Sequence, residues 1–157
     1  MQDLTSLDSV RDMQGRARGI ALTDLIDRLS LAQEPSRVLD EQVAGYFGEL
    51  PNTFDPWGAM RVAPGLFVGL DSDDCRFVRR TEIRHYTDNL EDVLTLLPDG
   101  TDFTVFGKSG RRSSAVVETA RGSRRSKFAG SGATPSIALL VAILRMAEGN
   151  ATCSPAR

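Results

Sequence analysis

The stretch from Gly130 to Gly149, GSGATPSIALLVAILRMAEG, decides how the chain is read. Thr134 is placed to cap a helix, because its hydroxyl can accept from an otherwise unpaired amide of the first turn. Pro135 follows at the first helical position, where no N–H is needed. From Ile137 to Leu144 every residue is apolar, so the helix must be covered all round and is expected at the centre of the core. The segment from Gly130 to Ala133 reads as a flexible Gly/Ser loop, and a basic segment precedes it. Positive side chains leading into a helix N-terminus favour an anion.

Working outward, 157 residues with 41% hydrophobic and 25% charged side chains suit one globular domain. The formal net charge of −2 hides an asymmetry. Between Lys108 and Lys127 lie Lys108, Arg111, Arg112, Arg121, Arg124, Arg125 and Lys127 against only Glu118, so this segment carries +6 and the rest of the chain −8. A local positive field in an acidic protein suits a compact anion better than a whole nucleic-acid duplex. Cys75 and Cys153 are far apart in sequence and suggest no disulfide framework. The first twenty residues carry Asp3, Asp8 and Asp12 and no continuous apolar run, and the longest apolar run is too short to span a bilayer. A cytoplasmic protein without a membrane partner is expected.

Residues 1–19 read as a mobile arm or weak helix, 20–149 as one α/β domain, and 150–157 as a loose tail. Leu22, Leu25, Ile26 and Leu29 share a helical face, with Thr23 as the expected cap and an end near Glu34, before Pro35. A second helix is expected from about Ser36, with Leu39, Val43, Tyr46 and Phe47 inward. Prolines and glycines interrupt 48–84, leaving short strands from Leu66 to Leu70 and from Arg76 to Val78, joined by the acidic turn 71–74. Asp88 and Glu91 have capping-box spacing before Leu90, Val93, Leu94 and Leu97. The runs from Phe103 to Phe106 and from Ala115 to Thr119 read as a hairpin, with a third strand around Lys127 to Ala129.

Gly107, Lys108 and Ser109 resemble the end of a phosphate loop, but six residues separate Gly100 from Gly107 where the motif needs four, so a hairpin turn is the better reading. His85 is the only histidine, which supports neither a nucleophilic triad nor a zinc site. The turn carrying Asp71, Asp73 and Asp74 has Cys75 and Arg76 where a calcium loop needs an oxygen ligand and a glycine. No catalytic residue, metal or cofactor is expected. The candidate ligand-binding set is Arg124, Arg125, Lys127, Ser131 and Thr134 for a phosphate group, with Trp57 or Tyr86 stacking on a base.

Three segments taken together, LTDLIDRLSLAQEPSRVLDEQVAGYF (22–47), YTDNLEDVLTLLPDG (86–100) and ATPSIALLVAILRMAEG (133–149), resemble in order and spacing the phage ABA sandwich domain proteins, small proteins of bacteriophages and prophages. They cover somewhat over a third of the chain. The resemblance implies a three-layer alpha-beta-alpha sandwich, an α/β (α+β) fold in which helices pack on two sides of a small, mainly antiparallel sheet. It implies no catalytic motif. The chain departs from the pattern in the irregular 48–84 region and at Thr101 and Phe103, where such proteins often carry tryptophan.

Joined to the basic segment, this leads to an expectation of a non-enzymatic phage accessory protein. It would sequester a small phosphate-bearing ligand, such as a nucleotide signal of bacterial antiviral defence. The alternative is an interaction module that inhibits or redirects a host protein; a nucleic-acid binder is the third and weakest binding reading, and a nucleotide hydrolase is the enzymatic one. A pocket shared between subunits would favour a homo-oligomer.

Overall fold

The computed structural model describes residues 22–51, 59–70, 78–107 and 110–152. The order is α1 (22–31), α2 (Arg37–Tyr46), β1 (Met60–Ala63), β2 (Leu66–Leu70), β3 (Val78–Glu82), α3 (Leu90–Leu94), β4 (Asp102–Phe106), β5 (Ser113–Arg121), β6 (Arg124–Gly132) and α4 (Pro135–Thr152). The strands form two antiparallel three-stranded sheets, β1-β2-β3 and β4-β5-β6.

Helix α4 begins where the sequence places it. The Thr134 hydroxyl accepts from the Ile137 amide at 3.1 Å, and the Thr134 carbonyl accepts the first helical bond from Ala138. Every side chain from Ser136 to Leu144 is buried. One side of α4 lies on β5 and β6, it also meets α3, and its buried side chains belong to one core with Leu29, Val43 and Val93. Helix α1 runs antiparallel to α4: Thr23 Oγ1 bonds Glu148 at 3.2 Å near one end, and Arg112, just before β5, donates to the Ser30 carbonyl near the other.

The expected flexible loop before α4 is instead the end of β6, with Gly130 and Gly132 in register with Ala115 and Ser113. The glycines serve packing. A Cβ on Gly130 would collide with the Ala138 carbonyl oxygen and lie 2.5 Å from the Ala142 nitrogen, so only a residue without one lets the backbones of β6 and α4 approach this closely.

A polar hub joins the layers. Asp40, 1% exposed, accepts from the Thr87 amide (2.7 Å) and hydroxyl (2.8 Å) through Oδ1 and from Arg37 (2.6 Å) through Oδ2. Arg37 also donates to the Ile83 and Arg84 carbonyls, and Thr134 donates to the Thr87 carbonyl. One carboxylate thus ties α2 to the chain between β3 and α3, and through Thr87 to the start of α4. Glu41 fixes the β1–β2 turn by accepting from Arg61 and from the Gly65 amide, each at 2.9 Å. Burial pushes the Glu41 carboxyl up, but these donors outweigh it and hold the group below its ordinary value.

Several expectations are corrected. Helix α1 ends at 31 rather than near Glu34, and Thr23 lies inside it rather than capping it. The cap of α3 is Asn89, whose side chain accepts from the Glu91 amide at 2.9 Å, not Asp88. Strand β3 extends through Arg79, Arg80, Thr81 and Glu82, well past the expected end at Val78, and β1 adds a strand that the pattern of the chain does not announce. The fold is mixed α+β with two small antiparallel sheets where one was expected, and among the described residues α4 lies on one face of the β4-β5-β6 sheet. Alternation along β5 turns Ala115 and Val117 toward α4, while Thr104, Phe106, Ser114, Ala129 and Ser131 on the opposite face are exposed. The expected arm at 1–19, the acidic turn and both cysteines lie outside the described residues, as does all but the start of the 150–157 tail.

Candidate functional site

Strands β5 and β6 are joined by only two residues, Gly122 and Ser123. Gly122 has φ of 61° while no described non-glycine residue has positive φ, which is the pattern of a type II′ hairpin turn. So short a turn fixes the register: Arg121 lies directly opposite Arg124 and Ala120 opposite Arg125. Three arginines therefore stand at the hairpin tip, Arg121 and Arg124 side by side on one face of the sheet and Arg125 on the other. All three residues are exposed, and among the described residues none has an acidic partner. Lys127, two residues further along β6 from Arg125, pairs with Glu118 at 3.0 Å.

The compact phosphate site expected from the sequence is not brought together. From Arg124 to Gly132 the chain runs as extended strand, which at about 3.4 Å per residue separates the arginines from the α4 N-terminus by roughly 25 Å. Arg124, Arg125 and Lys127 lie toward the tip, Arg125 and Lys127 on the open face and Arg124 on the other. Ser131 lies at the other end, on the open face beside Ser114. The Thr134 hydroxyl is occupied on both sides, accepting from Ile137 and donating to Thr87. Tyr86 is fully buried, so it offers no ring face for stacking. Trp57 lies outside the described residues. Arg121, opposite Arg124, belongs to the cluster although the sequence-based set omits it. Its signal is the run RGSRR, a two-residue turn with arginine on both sides.

No protein family, curated protein or solved structure matches the chain. The site must therefore be read from its own chemistry.

Other polar groups are accounted for structurally. Lys108 and Ser109 lie outside the described residues, but Gly107 follows β4, and the next element is the antiparallel β5 rather than the helix a phosphate loop requires. His85 is exposed, with Nε2 3.2 Å from Glu82 Oε1 and its amide bonded to Asp92 at 2.8 Å. Among the described residues no group of three His, Cys, Asp or Glu side chains could hold a metal ion, and no helix is long and apolar enough to cross a membrane.

The Tyr86 phenol donates to Glu49. Burial, then that hydrogen bond and the Glu49 charge, raise it well above its ordinary range. The folded state keeps a proton that the unfolded chain releases above about pH 10, so this contribution is complete below that pH and declines as pH rises. Urea unfolding should therefore show the native protein losing more stability between about pH 9 and pH 11 than Tyr86→Phe does. Equal losses would mean that the phenol is not held in its protonated form.

Proposed function

We propose that this protein is a non-enzymatic binding module, of the accessory kind the resemblance to phage proteins implies. In this reading it engages an acidic surface of a host protein through Arg121, Arg124 and Arg125. The supporting observation is the like-charge pair at the tip. Arg121 and Arg124 stand opposite each other in register, and among the described residues no acidic side chain is paired to either, an arrangement that destabilises a hairpin. A sequence that breaks a local rule without compensation in the fold points to a site where the feature is used.

The two-residue turn presents the guanidinium forks on a stiff support, the geometry suited to bidentate capture of carboxylates. An acidic protein is preferred to nucleic acid because the chain carries a net charge of −2, so its overall field opposes a long polyanion. It is preferred to a small phosphate ligand because the arginines stand on an open tip, far from the α4 amides that would have completed an enclosed site.

The test is fluorescence anisotropy with a labelled glutamate-rich peptide as probe. Arg124→Glu combined with Arg125→Glu should lower affinity by at least about tenfold and flatten its salt dependence. The melting temperature should stay within a few degrees, since both side chains are exposed and a carboxylate introduced at position 124 would face Arg121 favourably. Unchanged affinity would reject the tip as the binding site.

A further inference from the structure

The face of the β4-β5-β6 sheet turned away from α4 carries a grid of side chains fixed by strand register. Its rows are Asp102, Glu118 and Lys127; then Thr104, Val116 and Ala129; then Phe106, Ser114 and Ser131. Phe106 is 59% exposed, the smaller residues around it are exposed too, and Val116 is half-buried. Glu118 is neutralised by Lys127 within the chain, whereas Asp102 has no cationic partner among the described residues. The β4 side of the face is thus acidic and bears the one large aromatic; the β6 side is basic and otherwise small.

We propose that this face is a homodimer interface, covered by a second copy of the chain about a twofold axis parallel to β5. Such an axis lays β4 over the partner's β6. Asp102 then meets the partner's Lys127, Phe106 fills the space left by the partner's Ser131 and the partner's Ser114, and Val116 meets its own copy. Acid faces base and large faces small, as two packed sheets require. Glu118 faces its own copy, and Lys127, paired with Glu118 in its own chain, is shared with the partner's Asp102 through its remaining N–H donors. An axis lying across the strands instead would set Asp102 against the partner's Phe106, desolvating an unpaired carboxylate on a ring, which is costly.

The footprint sets the strength. Three strands about 4.8 Å apart, over some six residues of length, cover roughly 300 Å² and would bury on the order of 500 Å² per partner, short of the about 800 Å² of a stable interface. The dimer is therefore weak and depends on concentration. The same axis leaves both arginine tips at one end, so the dimer offers two tips to one surface. The dimer does not depend on the partner-binding reading.

Sedimentation equilibrium of the full chain from about 5 to about 500 µM tests it, a range suited to an interface of this size. The native protein should pass from monomer to dimer. Asp102→Lys, which gains Glu118 as a neighbour within the chain and so keeps its fold, should weaken association by at least about tenfold, and adding Lys127→Asp should restore it. A monomer at every concentration overturns the proposal, as does a dimer equally strong in Asp102→Lys and in Val116→Glu. Either result would leave the face to a different partner.

Discussion

Gly130→Ala should destabilise the protein by about 3 kcal/mol or more, near the top of the range for overpacked sites. The added methyl would fall against the Ala138 carbonyl oxygen and the Ala142 nitrogen. These are backbone atoms of a buried helix, so no side chain can rotate away to make room. The helix must lift from β6, and its contacts along the strand loosen with it. Gly100→Ala is the control. Gly100 has φ of 76° but nothing within 4 Å of its added Cβ, so its cost is confined to backbone strain of about 1 kcal/mol. Urea midpoints measured side by side separate the two effects. A Gly130→Ala loss no larger than that of Gly100→Ala would mean that α4 does not lie so close to the strand.

Asp40→Ala should cost about 3 kcal/mol, because it leaves the Thr87 amide and hydroxyl and the Arg37 guanidinium without their shared acceptor in a buried site. Asp40→Asn keeps an oxygen for Thr87 but not the charge facing Arg37, so about half the loss is expected. Thr87→Val removes one end of the same network. The double variant Asp40→Ala, Thr87→Val should therefore lose less than the two single losses together. Strict additivity, measured by urea unfolding of the native protein, both single variants and the double variant, would show that the hub does not act as a unit.

Legibility in the sequence follows side-chain pattern. Helix α4 is readable because Thr134, Pro135 and eight consecutive apolar residues agree, and α1 because Leu22, Leu25, Ile26 and Leu29 keep a helical period. The end of β6 reads as a loop because a period of two is carried by side chains, and Gly130 and Gly132 have none on the buried face. Strand β1 is invisible for a related reason: Met60, Arg61 and Val62 are all exposed, so no alternation marks the strand. The arginine cluster can be read as composition, but its position cannot. Whether those charges sit beside the α4 N-terminus or far from it depends on the full length of β6, and strand pairing rather than local preference sets that length. The Asp40–Thr87 bond joins residues 47 positions apart and leaves no local trace.

The arginine tip, rather than the α4 N-terminus, is the proposed landing place of an anionic partner. Amide-resolved NMR titration of the native protein with a glutamate-rich peptide asks this directly. The predicted result is a set of shifts centred on Arg121, Gly122, Ser123, Arg124 and Arg125 that fades as salt is raised, with Ser136 and Ile137 unmoved. Shifts centred on Ser136 and Ile137, or none at the tip, would contradict it.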